Sequence, residues 1–360
     1  MTYRIASIPG DGIGVDVVAE ARQVLDRAAS LYGFSFEWTE FDWSCERYLA
    51  AGAMMPADGI EQLRPHDAIF LGAVGFPGVP DHVSLWGLLI PIRRAFRQYV
   101  NLRPTRLLPG VVSPLAGRTA DDLDIVIVRE NSEGEYSQIG GRQSVGLPEE
   151  FAVQQAVFTR LGVTRVIRYA FELARTRGGR VCSATKSNGI IHSMPFWDEI
   201  FAEIAAEHGD VESEQSHVDA LAARMVMRPD TLDIVVGSNL FGDILSDISA
   251  AIVGGLGTAP AANLNPEREF PSMFEPVHGS APDIAGKGIA NPVAQILTGA
   301  MMLDHLGEPA AARAVEAAVD KVLTAGVRTP DLGGSATTSE LGSAVRDAVE
   351  SGNAPDSAGK

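Results

Sequence analysis

Two aspartates, a lysine and a run of arginines are the residues of this 360-residue chain best placed to do chemistry. In GSNLFGDILSDI (237–248), Asp243 and Asp247 lie four residues apart in a helical pattern, so both carboxylates leave the same face. Like charges at that spacing destabilise a helix unless something neutralises them. With a third carboxylate such as Asp219 (HVDALAARM), the repulsion is about 4 kcal/mol per close pair at moderate effective dielectric, and a hard divalent cation with oxygen ligands removes it. The Leu, Ile, Phe and Gly around the pair favour a half-buried ion site over the alternative, a solvated acidic face.

Lys186 stands in ATKSN directly after the apolar run RVCSA. That is the carboxyl end of a strand, where open α/β sheets carry their sites. A partly desolvated lysine there can act as a base, and a surface lysine at a strand end is the plainer alternative. Tyr136, in RENSEGEYS, is a candidate proton donor or a packing residue. From His82 to Ala120 there is no Asp or Glu, yet Arg93, Arg94, Arg97, Arg103, Arg106 and Arg118 all fall there. Guanidinium forks suit carboxylate or phosphate recognition, although such arginines also pair with acids elsewhere in a fold.

Glycine-rich segments offer a nucleotide site. The early GDGIG spaces its glycines as G-x-G-x-G (Gly10, Gly12, Gly14), which is not the dinucleotide fingerprint, and no well-placed acid ends the next strand as that fingerprint requires. The stretch EPVHGSAPDIAGKGIANP (275–292) is the stronger candidate, because small residues let backbone N–H groups approach a phosphate.

The elements that must position these groups alternate from the start. Apolar runs at 3–9, 67–74, 123–129, 180–184 and 232–237, with an alternating run at 34–41, read as strands. Helical spacing appears at 15–32, 163–177, 194–208, 241–253 and 310–325. Such alternation predicts an α/β fold with a mostly parallel sheet.

Composition narrows the partners. With 29 Lys and Arg against 46 Asp and Glu, the formal charge is −17, which argues against nucleic acid and anionic membrane. Apolar residues at 46% and charged residues at 21% are globular values. Cys45 and Cys182 stand alone with no metal-type spacing, so reduced thiols in a cytoplasmic protein are expected. The start, MTYRIASIPGDG, lacks the basic and apolar regions of a secretory leader, and the uncharged stretch 248–266 is too broken by glycine and proline to span a bilayer. The final SGNAPDSAGK reads as a frayed tail.

Taken together, NLRP around Arg103, VRENSEGEY, ATKSN, GSNLFGDILSD and EPVHGSAPDIAGKGIANP resemble the β-decarboxylating dehydrogenase family, which includes isocitrate, 3-isopropylmalate and tartrate/D-malate dehydrogenases. The resemblance runs from IPGDGIG to the helix near Ala318. It implies the isocitrate/isopropylmalate dehydrogenase-like fold, not a Rossmann fold. Two open α/β domains are expected, one from residues 1–98 plus 256–360 and one from 99–255.

By the same resemblance, Arg93, Arg103 and Arg129 clamp the malate portion of a substrate, and Asp219, Asp243 and Asp247 bind Mg²⁺ or Mn²⁺. Lys186 is implied as the base that deprotonates the 2-hydroxyl, and Tyr136 as the acid that protonates the enolate carbon. Cofactor contacts are implied for Ile13, Glu275, His278, Gly279, Ser280, Ala281, Asp283, Ile284 and Asn291. Asp283 favours NAD, because an aspartate accepts hydrogen bonds from ribose hydroxyls and repels a 2′-phosphate, whereas NADP-using relatives carry a Lys-Tyr pair at Asp283-Ile284. A homodimer is implied, with Lys186 and Asp219 reaching into the partner's site. The choice between Mg²⁺ and Mn²⁺, and any K⁺ requirement, stay open.

The resemblance implies that the variable substituent of the substrate is read by the residues just before the first clamp arginine, here DHVSLWGLLIPIRR (81–94), with Trp86, Leu89 and Ile90 as the reading residues. Trp86 stands where isopropylmalate enzymes place a glutamate, and a bulky ring favours a small substituent. The tract resembles the tartrate/D-malate branch, although Pro91 departs from it. The expected reaction is oxidation and oxidative decarboxylation of D-malate or tartrate. 3-Isopropylmalate oxidation, a metal-dependent lyase without NAD, and a non-enzymatic dicarboxylate-binding protein are the alternatives.

Overall fold

The computed structural model describes residues 1–350; the stretch 351–360, expected to fray, lies outside the described residues. In chain order the strands begin with β1 (Thr2–Gly10), β2 (Ser35–Glu40), β3 (Ala68–Ala73), β4 (Val100–Arg106), β5 (Asp124–Glu130) and β6 (Gly140–Gln143). They continue with β7 (Phe151–Gln154), β8 (Arg180–Thr185), β9 (Glu212–His217), β10 (Ile234–Gly237), β11 (Ala262–Leu264) and β12 (Ser272–Phe274). The first helices are α1 (Ile13–Tyr32), α2 (Cys45–Ala51), α3 (Gly59–Leu63), α4 (Asp81–Ser84), α5 (Ile90–Ala95) and α6 (Arg160–Ala174). The later ones are α7 (Ser193–Glu207), α8 (Val218–Met227), α9 (Asn239–Ile252), α10 (Val293–His305), α11 (Pro309–Thr324) and α12 (Thr338–Ala348).

One ten-stranded sheet runs β2-β1-β3-β12-β11-β4-β5-β10-β8-β9, and β6 and β7 form a separate antiparallel pair. Most pairings in the large sheet are parallel; the β12–β11, β11–β4 and β4–β5 pairings are antiparallel. The two-domain division expected from the sequence would cut this sheet between β11 and β4, leaving five strands on either side. The buried runs IFL in β3 and IVIV in β5 are covered on both faces, as central parallel strands require.

Helices bury one stripe each. Val17, Ala21, Val24, Leu25 and Ala28 of α1 recur at helical spacing and pack with α10, α11 and α12. α6 and α7 extend this layer along the same face, while Leu221 and Met225 of α8 and Leu245 of α9 cover β5, β8 and β10 from the other.

Residues 81–95 form one helical run in which Leu85–Leu89 is a π-turn. Ile90 N–H donates to Leu85 C=O, five residues back. Pro91 follows at once; it has no N–H to donate, and the wider turn gives its ring room without ending the helix. Both cysteines are buried free thiols. Among the described residues no helix is long and apolar enough to cross a membrane.

Candidate active site

A cavity of about 230 Å³ opens at the carboxyl ends of β3, β5 and β12. Its floor is Leu71 to Val74 from β3 and the turn after it, and one wall is the loop from Glu275 to Gly279. Leu85, Leu89 and Arg93 face it from the helical run, Arg103 from β4, Arg129 from β5, and Asp243 from α9. Tyr136 enters from the loop that follows β5.

The three arginines converge, each fixed by different partners. Arg93 donates to Glu275 Oε1 at 2.5 Å, and Glu275 also accepts from Asn263 at 2.8 Å. The Arg93 Nε–H is buried with no partner, a donor left over for a ligand. Arg103 donates Nε to Asn101 at 2.6 Å and Nη1 to Ser246 at 2.7 Å, and lies 3.2 Å from Asp243. Arg129 donates Nε to the Asn239 carbonyl at 2.7 Å and approaches Asp243 at 2.8 Å. α9 comes this close only because residue 242 is glycine: a Cβ there would stand 2.7 Å from the Arg129 side chain.

Crowding shows in the acid–base behaviour. Burial, reinforced by Arg103, pushes Arg129 down to about 10, and burial also lowers Arg103 against the pull of Asp243. Burial raises Asp243, but Arg129 and Arg103 outweigh it and hold the carboxyl below its ordinary range. Three buried cations against Glu275 and Asp243 leave an excess of positive charge suited to an anionic ligand. The Tyr136 hydroxyl donates to Asp243 Oδ2 at 3.1 Å; burial and that carboxylate raise its pKa, so it keeps its proton at neutral pH.

Asp243 and Asp247 do share one face of α9. Among the described residues Asp247 has a single ion pair, with Arg103 at 3.9 Å, and its side chain is 62% exposed. Burial and Asp243 raise its pKa. Asp247 has open coordination room, whereas both Asp243 oxygens are engaged, Oδ1 by Arg129 and Arg103 and Oδ2 by Tyr136; a hard cation on this pair would share Asp243 with those groups and take its other oxygens from water and substrate. The third carboxylate does not join them in this chain. Asp219 accepts from Lys186 at 2.6 Å outside the cavity, and no group of three His, Cys, Asp or Glu gathers among the described residues. The triplet is therefore not assembled within one chain.

The cofactor candidates divide. Ile13 N–H donates to Ser280 C=O at 2.8 Å, and Ile13 packs with Ala281, Ile284 and Ala290. Gly12 has φ 57°, and a Cβ there would fall 2.1 Å from the same Ser280 oxygen, so the early glycines seat the 275–292 loop. His278 and Gly279 line the cavity, and the buried His278 Nε2 has no partner. An unpaired ring nitrogen on a glycine-bounded loop fits a nucleotide cofactor. Asp283 is exposed, while Asn291 is engaged with Asp331 at 2.9 Å and caps the start of α10. Glu275 belongs to Arg93 and Asn263.

Of the specificity residues, Leu89 lines the cavity but Trp86 and Ile90 do not. The Trp86 ring lies under the Arg94 guanidinium, 5.1 Å away, and Ile90 is buried. Leu85, missed by sequence reasoning, takes the cavity position, because Leu85, Leu89 and Arg93 recur every four residues along one face; that spacing was visible in the sequence. The other arginines of the run are engaged elsewhere: Arg97 with Glu269, Arg106 with Asp320, Arg118 with Asp122 and Asp230.

Known proteins similar to this chain match it over nearly its whole length. A model described as isocitrate/isopropylmalate dehydrogenase matches residues 4–345. A probable tartrate dehydrogenase/decarboxylase of Bacillus subtilis is 54% identical over 94% of this chain and 96% of its own length. The D-malate dehydrogenase (decarboxylating) of Escherichia coli is 54% identical over 96% and 98%. The solved isocitrate dehydrogenase of Methylococcus capsulatus superposes with a TM-score of 0.87 at 37% identity, over 96% of this chain and 99% of that one.

Proposed function

The chain belongs to the isocitrate/isopropylmalate dehydrogenase family, and from that premise we propose that it oxidises and decarboxylates D-malate or tartrate with NAD and a divalent metal. The observation that carries this reading is the convergence of Arg93, Arg103 and Arg129 on one cavity that also holds Asp243 and Tyr136. The names of the relatives, tartrate dehydrogenase/decarboxylase and D-malate dehydrogenase (decarboxylating), favour a small diacid.

The arginines hold the two carboxylates of the diacid and orient C2 toward the His278–Gly279 wall. Bound NAD supplies the hydride acceptor, and Mg²⁺ or Mn²⁺ held by Asp243 and Asp247 supplies Lewis-acid polarisation of the C2 oxygen. As C2–H leaves as hydride, Lys186 from a second copy takes the hydroxyl proton and C2 becomes a ketone. The β-carboxylate then departs as CO₂, its bonding electrons passing to the C2 oxygen. Tyr136 returns a proton to C3, which the raised pKa of its hydroxyl permits.

A homodimer completes the site in this reading, since Lys186 and Asp219 lie outside their own chain's cavity. Its contact surface is supported by exposed apolar side chains on the β6–β7 pair (Phe151, Val153) and on α8 and α9 (Met227, Ile244). Leu85 and Leu89 present an aliphatic wall, which favours 3-isopropylmalate as the second reading.

NAD, Mn²⁺ and D-malate should together yield NADH and CO₂; EDTA should abolish both and added Mn²⁺ restore them. Turnover that survives thorough chelation would overturn the metal assignment. A higher kcat/KM for 3-isopropylmalate than for either small diacid would move the substrate to the second reading. A higher kcat/KM with NADP than with NAD would overturn the cofactor assignment.

A further inference from the structure

Three glutamates stand within six residues of the loop that carries Tyr136, and each carboxylate holds a different segment. Glu130 accepts from Ser132 N–H, Ser132 Oγ and Glu133 N–H, folding the loop on itself. Glu133 accepts from the backbone and hydroxyl of Thr159, both at 2.8 Å, at the start of α6. Glu135 accepts from Ser238 Oγ at 2.8 Å and from Leu240 N–H at 3.4 Å, at the start of α9. There the first-turn N–H groups lack helical partners and favour an acid.

We infer that Glu135 is a positioning residue for the proton-return step: it fixes Tyr136 against the helix that carries Asp243 and Asp247. The inference rests on the reading of Tyr136 as the proton donor. Glu135 and Tyr136 are consecutive, and both reach α9, one at its first turn and the other at Asp243 a turn later. The same first turn supplies the Asn239 carbonyl that holds Arg129. Loop, helix and substrate arginine thus share one junction. The loop has other anchors: Arg94 donates to the Tyr136 carbonyl at 3.1 Å, and Gln154 to the Ser137 carbonyl at 2.7 Å. Losing Glu135 therefore shifts the phenol without unfolding the loop.

Glu135→Ala should lower kcat for D-malate about 30-fold with KM within about threefold, since a misplaced donor costs rate and not ground-state binding. Glu135→Gln keeps an oxygen for Ser238 Oγ and should recover most of that loss, and Ser238→Ala, made from the other side, should lose kcat in the same way. The deciding measurement is the Tyr136→Phe background, where Glu135→Ala should cost less than about twofold more, because its effect runs through the missing hydroxyl. Equal multiplicative losses in both backgrounds, or unchanged kcat in Glu135→Ala, would overturn the inference alone. Unchanged turnover in Tyr136→Phe itself would instead remove Tyr136 as the donor, and the inference with it.

Discussion

Leu102 and Arg103 are consecutive in β4 and point to opposite faces of one sheet, and the two faces treat charge differently. Arg103 faces the cavity proposed as the active site, where each charged group is buried or half-buried and held by specific partners. Leu102 lines a larger cavity, about 400 Å³, on the face covered by α6, α10 and α11. Its floor is apolar, with Leu102, Val126, Leu264 and Phe274, and Arg268, Asp304 and Arg313 stand at its exposed rim. Among the described residues these three make no salt bridge or side-chain hydrogen bond, and all three are exposed. In the proposed reading the smaller cavity holds the chemistry: charges kept from water must be arranged, while charges left in water need not be.

Asp243→Asn should break the arranged side most severely. The change removes one of the two proposed metal ligands on α9 and leaves Arg103 and Arg129 crowded with no carboxylate between them. Turnover should fall about 1000-fold or more, the scale of losing a Lewis acid together with a substrate clamp. Stability should fall by about 2 kcal/mol, less than for a fully buried pair because a third of the Asp243 side chain meets solvent. Steady-state kinetics and urea unfolding read the two effects, and activity within tenfold of the parent would break the contrast.

Glu130 tests the arranged side through pH. It is fully buried, and burial lifts its pKa from 4.5 to about 7 against three hydrogen bonds that favour the carboxylate. Below about pH 4.5 the folded and unfolded chains both hold this proton, and the group's stabilising term is fully present. As pH rises toward 7 the unfolded chain releases the proton and the folded chain keeps it, so that term is progressively lost. The parent should lose up to about 3 kcal/mol relative to Glu130→Gln between pH 4.5 and 8, and parallel stability profiles for the two proteins would refute this.

Much of this was legible in the sequence where burial and period agree. The apolar runs of β1, β3, β5 and β10 and the stripe of α1 announced themselves, as did the residue types of the arginine clamp and the α9 aspartates. β4 did not: VNLRPTR carries two arginines and a proline, and only its place between β11 and β5, with Asn101 and Arg103 turned to one face, makes it a strand. β11 and β12 are three residues each, too short for a periodic signal. α10 is buried on nearly every side, so it lacks the polar face that marks a helix. Within the site, the family resemblance implies Asp219 as the third member of a triplet that one chain does not assemble. The π-turn at Leu85–Leu89 left no mark in the sequence, whereas the four-residue recurrence of Leu85, Leu89 and Arg93 that puts Leu85 and not Trp86 on the cavity did.

A milder perturbation sits at the seam between substrate and cofactor. Glu275 starts the 275–292 loop and is clasped by Arg93 and Asn263. Glu275→Gln keeps the shape and removes the charge, weakening charge-assisted bonds whose loss is worth about tenfold in binding. KM should rise by about that factor for both the diacid and NAD, since one side chain orients an arginine for the first and anchors the loop for the second. A rise confined to one of them would mean that the seam does not couple the two.

The solvated face should be nearly silent, and that silence is the sharper half of the contrast. Arg313→Ala and Asp304→Asn each remove a rim charge that, among the described residues, makes no salt bridge or side-chain hydrogen bond, so neither leaves a bonded partner stranded. Both side chains are exposed, and the long arginine of the parent is about equally free in the folded and unfolded chains, so its removal changes little entropy of folding. Stability should change by less than about 0.5 kcal/mol and kcat/KM by less than about twofold. Size alone would make this cavity, not the other, the place where substitutions matter. A loss of more than about fivefold from either variant would mean that the rear face communicates with the arginine clamp through β4, where the two cavities are separated by a single strand's thickness.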